Sequence, residues 1–382
     1  MFRQTIARIL LVGVALAVLA AAVGCGDDGG APDSDGDVIR DIPMFRGNPA
    51  RTGVNPGPGF KDSPTVLWQF SASLPVQSSP TVVDGVVYIG SWDNSVYALD
   101  AATGEESWRF SMNGWVFPSA AVADGAVYVA SVAGDVCAVD AANGEERWCL
   151  QMGDDVWSSP AVVDGVVYIG SADSFVYALD GDTGDTRWSF QTDTMFHSSP
   201  AVAEGRVYVG GFDGKVYALD AATGEYVWEF QTGDSIASSP AVADGVVYVG
   251  SFDGNVYALD AAAGVERWRF ETGDGVSSSP AVADGAVYIG SDDNNVYAID
   301  AVTGQERWRF VTGDSVISSP TVVDDVVYVG SFDNNVYALD TGTGEEHWRF
   351  ATGDNVSSSP AVLDGVVYFG SYDRKVYAIT KE

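Results

Sequence analysis

Fifty-three acidic side chains against nineteen basic ones give this chain a net charge of −34. Paired or clustered carboxylates are what general acid–base catalysis and hard-cation binding require, so their spacing decides what they can do. Asp84, Asp124, Asp164, Asp244, Asp284 and Asp364 occupy one register, each before a glycine. Asp93, Asp173, Asp213, Asp253, Asp293, Asp333 and Asp373 occupy a second, and Asp154, Asp234, Asp274, Asp314 and Asp354 a third. Members of each series lie 40 residues, or a multiple of 40, apart, so each copy of a repeat contributes one. Carboxylates delivered once per copy are spread around a ring and do not converge. Asp-Gly is the signature of a type I′ hairpin turn, where Asp tolerates left-handed dihedrals. The carboxylates therefore read as turn punctuation, with no metal site and no catalytic pair. Asp325 stands where that turn expects glycine, and Asp325→Gly is expected to stabilise by ~1 kcal/mol.

Two other residue types could carry chemistry. Cys137 and Cys149 replace a recurrent Tyr and a frequent Arg in the same copy, at positions expected to face each other across neighbouring strands. A cross-strand disulfide is expected there. His197 is one of two histidines, and no Ser or Cys nucleophile motif accompanies it. No catalytic residue is assigned.

The elements that position these residues follow from Trp68, Trp108, Trp148, Trp188, Trp228, Trp268, Trp308 and Trp348, spaced every 40 residues without insertion or deletion. Such a period marks a repeat architecture. One copy, from Ser238 to Ser277, contains four β-rich runs separated by turns at Asp244-Gly245, Asp253-Gly254 and Asp260 to Gly264. Four-stranded antiparallel sheets repeated around an axis make a β-propeller. The chain opens with an orphan fourth strand, Val66-Leu67-Trp68-Gln69-Phe70, and ends after a third. The expectation is an all-β, eight-bladed propeller over 63–382, closed when the N-terminal strand completes the last blade. The run Ala98-x-Asp100-x-x-Thr103-Gly104-x-x-x-Trp108 and its counterparts resemble the tryptophan-docking motif of the quinoprotein (PQQ) propeller family. That resemblance implies that each indole packs against the neighbouring blade.

Residues 1–24 read as a secretory signal, with Arg3 and Arg8 before the apolar stretch Ile9 to Val23. Ala22-Val23-Gly24-Cys25 resembles the lipobox of bacterial lipoproteins, which implies a lipid on Cys25. A flexible acidic tether (25–42) and an extended arm (43–62) follow. Asp33, Asp35 and Asp37 echo a calcium loop, but Met44 stands where the closing Glu belongs. The acidity repels nucleic acid.

The copies differ most in the loops between blades. Trp115, Phe117, Trp157, Met195, Phe196 and His197 fall in the early loops, and Trp92 in a turn expected on the same face. These residues form an aromatic arc suited to binding, or equally to filling the mouth of a wide channel. Three functions follow. Length, lipobox, tether and eight blades resemble the family of outer-membrane assembly lipoproteins (BamB), implying a monomeric, non-catalytic, membrane-tethered platform for another envelope protein. Its place would be the periplasmic face of an outer membrane or the outer face of a cytoplasmic membrane. A second reading is a PQQ-dependent dehydrogenase, although the family's adjacent cysteines, haem motif and cofactor ligands have no counterparts here, so no cofactor is assigned. The third is a carbohydrate or small-ligand sensor.

Overall fold

The computed structural model describes residues 41–382. The expected signal peptide, the expected lipid site Cys25 and the part of the expected tether before Asp41 lie outside them. The described residues form eight four-stranded antiparallel sheets. No described helix is long and apolar enough to cross a membrane.

An orphan strand, β1 (Pro64–Ser71), precedes blade 1, which comprises β2 (Thr81–Val83), β3 (Val86–Gly90), β4 (Ser95–Asp100) and β5 (Glu106–Ser111). The two middle strands are almost wholly buried, because a neighbouring blade covers each face, so apolar residues run on without alternation. The outer strand alternates, and Trp108 is its one buried member. Each later copy repeats this pattern. In blade 8, strands Ala361–Leu363, Val366–Gly370 and Lys375–Lys381 are completed by β1, which pairs with the last of them. The ring is closed as expected.

The first hairpins have positive φ at both central residues, 51° at Asp84 and 73° at Gly85, as a type I′ turn requires. The hairpin at Asp324 departs from this. Asp325 does not take the left-handed φ of its glycine counterparts, and its carboxylate pairs with Lys61. The expected gain from Asp325→Gly therefore loses its basis. An L-residue has adjusted the turn, and its side chain has a partner of its own.

The tryptophans hold neighbouring blades together. Trp108 donates its indole N–H to the carbonyl of Ala141 at 3.0 Å. Its ring lies so close over Gly144 that a Cβ there would approach it to 2.7 Å. The same bond recurs from Trp68 to Trp308. Trp348 has no following turn to dock on, and Phe60 takes its place. The Phe60 carbonyl accepts the Trp348 N–H at 3.1 Å, and its ring stacks on the indole at 5.2 Å and 16°.

The inner strands are sheet edges, with backbone donors facing the bore. The arm satisfies most of them in one circuit. Ile42 pairs reciprocally with Val82. The carbonyls of Pro43, Pro49, Ala50, Thr52 and Gly53 then accept from Val122, Val202, Val242, Val282 and Val322 at 2.7–2.9 Å, and the side chain of Asn55 accepts from Val362. At blade 3 the buried Arg51 reaches the carbonyls of Ser159 and Pro160. The arm expected only to be extended is thus a coil inside the ring. It meets the first hairpins of blades 1 and 7, through Asp41 with Asp84 and Gly59 with Asp324.

Candidate functional site

The carboxylate series occupy the turns, and each does a structural job. In the second turn, Asp93 accepts from the Tyr97 hydroxyl at 2.7 Å, from the Ser95 backbone, and from the Ser73 backbone of the preceding loop. Burial, followed by this carboxylate, pushes the Tyr97 phenol up to about 12. The Tyr–Asp bond recurs in blades 3 to 8. In the third turn Asp100 caps the backbone of Ala102 and Thr103 and the Thr103 hydroxyl, and these bonds hold its carboxyl below the usual range. Blade 2 lacks the Tyr–Asp pair, with Ala133 and Cys137 in those positions. Asp135 accepts from Asn113 instead, and Cys137 and Cys149, directly opposed in register, form a disulfide.

The expected aromatic arc divides into two chains on the loop face. In the first, Trp115 stacks flat on Trp92 at 4.7 Å and 6°, Trp92 meets Tyr372 edge-on at 5.5 Å, and Tyr372 meets Phe332 at 6.0 Å. Trp115 is 45 % exposed. In the second, Phe117 meets Trp157 edge-on at 5.1 Å, Trp157 stacks on His197 at 5.1 Å, and His197 packs on Phe212 at 4.3 Å. Burial in that stack lowers the His197 pKa to about 4, so the ring is neutral at pH 7. Met195 is exposed, whereas Met112 and Met152 are buried.

Phe196 does not belong to this face. It is fully buried and packs against Gly170 and Tyr217. Its counterparts Val116, Val156, Ile236 and Val276 are equally buried. The position is an apolar anchor beneath each loop, visible in the repeat register once the eight loops are aligned. Phe212, Phe332 and Tyr372 went unrecognised in the sequence. Their signal is the residue immediately before the second-turn aspartate, which is aromatic in five of the eight copies.

Phe117, Trp157 and His197 also line the mouth of the bore, a cavity of about 290 Å³. Phe45 of the arm lies at its inner end and eight serines, one per blade, encircle it. Each serine passes its backbone N–H to the hydroxyl of the next. The series runs from Ser79 through Ser119, Ser159, Ser199, Ser239, Ser279 and Ser319 to Ser359, which returns to Ser79. Among the described residues no Asp or Glu lines this cavity. Among the described residues no group of three His, Cys, Asp or Glu side chains could hold a metal. The lining offers hydroxyl oxygens without a carboxylate, a poor match to a Ca²⁺ site, whose oxygen ligands ordinarily include carboxylates.

The model of the family described as outer membrane protein assembly factor BamB matches residues 61–115, 93–210, 193–273 and 252–382. No curated protein sequence matches the chain. Among solved structures, BamB from Moraxella catarrhalis aligns at 20 % identity with a TM-score of 0.73, covering 83 % of this chain and 99 % of that one. Quinohemoprotein alcohol dehydrogenase from Comamonas testosteroni aligns at 18 % identity and 0.77, covering 89 % and 80 %. The computationally designed Ika8 protein aligns at 19 % and 0.72, covering 81 % and 97 %. At such identities the structural likenesses establish the fold alone.

Proposed function

The chain belongs to the family described as outer membrane protein assembly factor BamB, and on that premise we propose that it is a non-catalytic scaffold of the cell envelope. Its tether runs from a lipidated Cys25, and its loop face binds a segment of another envelope protein. The observation that carries this reading is the exposed Trp115, held flat on a partly buried Trp92 that is backed by Tyr372 and Phe332. Flat, rigid aromatic surface gives large contact area at little entropic cost, which is why such residues dominate binding hot spots. The carboxylates that a catalytic reading would need are engaged in turns, and the bore has none. The dehydrogenase reading therefore gains no support from the site itself.

Co-purification from detergent-solubilised membranes tests the proposal. A partner retained by wild type and by Tyr226→Ala, an exposed outer-strand change, should be lost by Trp92→Ala/Trp115→Ala. A partner held equally by the double variant would remove the loop face from the interaction.

A further inference from the structure

The bore collects hydrogen-bond donors and positive charge and supplies no anion. Each of the eight ring serines accepts a backbone N–H through its hydroxyl oxygen. None of those hydroxyls has an acceptor for its own hydrogen among the described residues. All eight serines are more than nine-tenths buried and all line one cavity. Buried donors left without acceptors are destabilising unless water or a ligand completes them.

Beneath the ring lie two buried guanidinium groups on the arm. Arg46 donates to the carbonyls of Pro280 and Pro320. Arg51 donates to those of Pro200, Phe45, Ser159 and Pro160. Among the described residues neither has a carboxylate partner within salt-bridge distance. The Nε of Arg46 is buried with no partner at all, and Arg46 shares a small internal space with Ser79 and Ser359. Arg51 lies over the ring of Phe45, 5.3 Å from its centroid, behind the cavity's inner end. Burial of cations without counter-charge is strongly unfavourable, and water relieves it only in part. An anion would answer both the hydroxyls and the guanidiniums.

The geometry points to the axial cavity as a binding site for a compact organic oxyanion. The anionic head lies on the serine ring, above Arg46, and an apolar body lies against Trp157 and Phe117. Of the other mouth positions, Ala237 and Ile317 are apolar, whereas Gln77, Ser277 and Ser357 carry buried polar atoms without partners, which suits a ligand with further polar substituents. At about 290 Å³ the space is at the lower limit for small-molecule pockets, which restricts the body to a single ring or short chain. This inference is independent of the scaffold reading, since it concerns the bore and not the Trp92–Trp115 platform.

Calorimetry and tryptophan fluorescence on the full folded chain, at fixed ionic strength, test it. The probes are benzoate, inorganic phosphate and uncharged benzyl alcohol. Benzoate should bind and change the emission of Trp157, a change absent in Trp157→Phe. Phosphate should displace benzoate if the head site accepts phosphate as well as carboxylate, and failure to displace would assign the site to carboxylates. Arg46→Gln keeps size and polarity while removing the charge, and should weaken benzoate at least tenfold. Should that variant fold poorly, Ser239→Ala gives the same reading of the hydroxyl ring. Absence of benzoate and phosphate binding into the millimolar range would overturn the inference. So would benzyl alcohol binding as tightly as benzoate, or unchanged affinity in both variants.

Discussion

Phe60 does for the last blade what an eighth copy of the docking turn would otherwise do, and replacing it measures that substitution directly. Its ring is 5 % exposed, stacked on Trp348 at 5.2 Å and tilted against Tyr328 at 6.1 Å. Truncating a buried Phe to Ala costs about 3–5 kcal/mol, depending on how far the site can collapse. Phe60 sits at the exit of the arm, where some collapse is available, so about 3 kcal/mol is expected. With an unfolding entropy of about 2.1 cal/mol/K per residue, a chain of this length loses roughly 1.2 °C in Tm per kcal/mol. Phe60→Ala should therefore melt about 4 °C below wild type. Phe60→Leu keeps apolar volume but removes the stack, and should lose roughly 1–2 °C. Calorimetry gives the shift, and amide exchange should locate it in β1 and Lys375–Lys381, the strands that close the ring. A Phe60→Ala protein melting within about 1 °C of wild type would refute the idea that this side chain seals the seam.

Three further outcomes follow from the same geometry. The Cys137–Cys149 bond closes a loop of 12 residues, so the double serine variant should be about 3 kcal/mol less stable. Peptide mapping of the denatured, unreduced protein should find neither cysteine alkylated. Asp325→Gly should change stability by less than about 1 kcal/mol, because any backbone gain is offset by the lost contact with Lys61; a clear rise in Tm would restore the type I′ assignment there. His197 has its pKa lowered from 6.5 to about 4 by burial. Between those values the unfolded chain binds a proton that the folded chain does not, so stability is full above about pH 6.5 and declines as pH falls toward 4. Since the ring borders the cavity, the loss should be about 2 kcal/mol at most. His197→Phe should lack it, as urea melts of both proteins across that range will show.

Much of the fold was legible in the sequence because the repeat carries it. One tryptophan per 40 residues, Asp-Gly turns and an orphan Trp68 strand together specify blade number, hairpins and closure. The paired replacement at Cys137 and Cys149 likewise gave a contact, because strand register converts spacing into proximity. What was hidden lay outside the repeat or beneath it. The arm from Asp41 to Phe60 has no internal period, and its bonds are made by backbone carbonyls, which leave no mark on residue type. Ser79 and its seven counterparts were visible as a repeated letter, but a ring linked across blades is a property of the closed assembly. Phe196 was misplaced because its aromatic character suggested a surface role, while its register with Val156 and Ile236 fixed it in the interior.

The coil inside the ring has a consequence for how the molecule is made. Residues 42–55 bond to blades 1 through 8, and β1 pairs with Lys375–Lys381, so the earliest-synthesised part of the propeller completes its set of partners only after the final ones emerge. Until then the nascent chain is an open crescent with bare inner edges and an unpaired terminal sheet, and such contacts between distant residues form slowly. Synthesis must therefore finish before the toroid can lock, and a C-terminal truncation that removes Lys375–Lys381 would leave β1 without its partner strand while the arm keeps its bonds to the earlier blades.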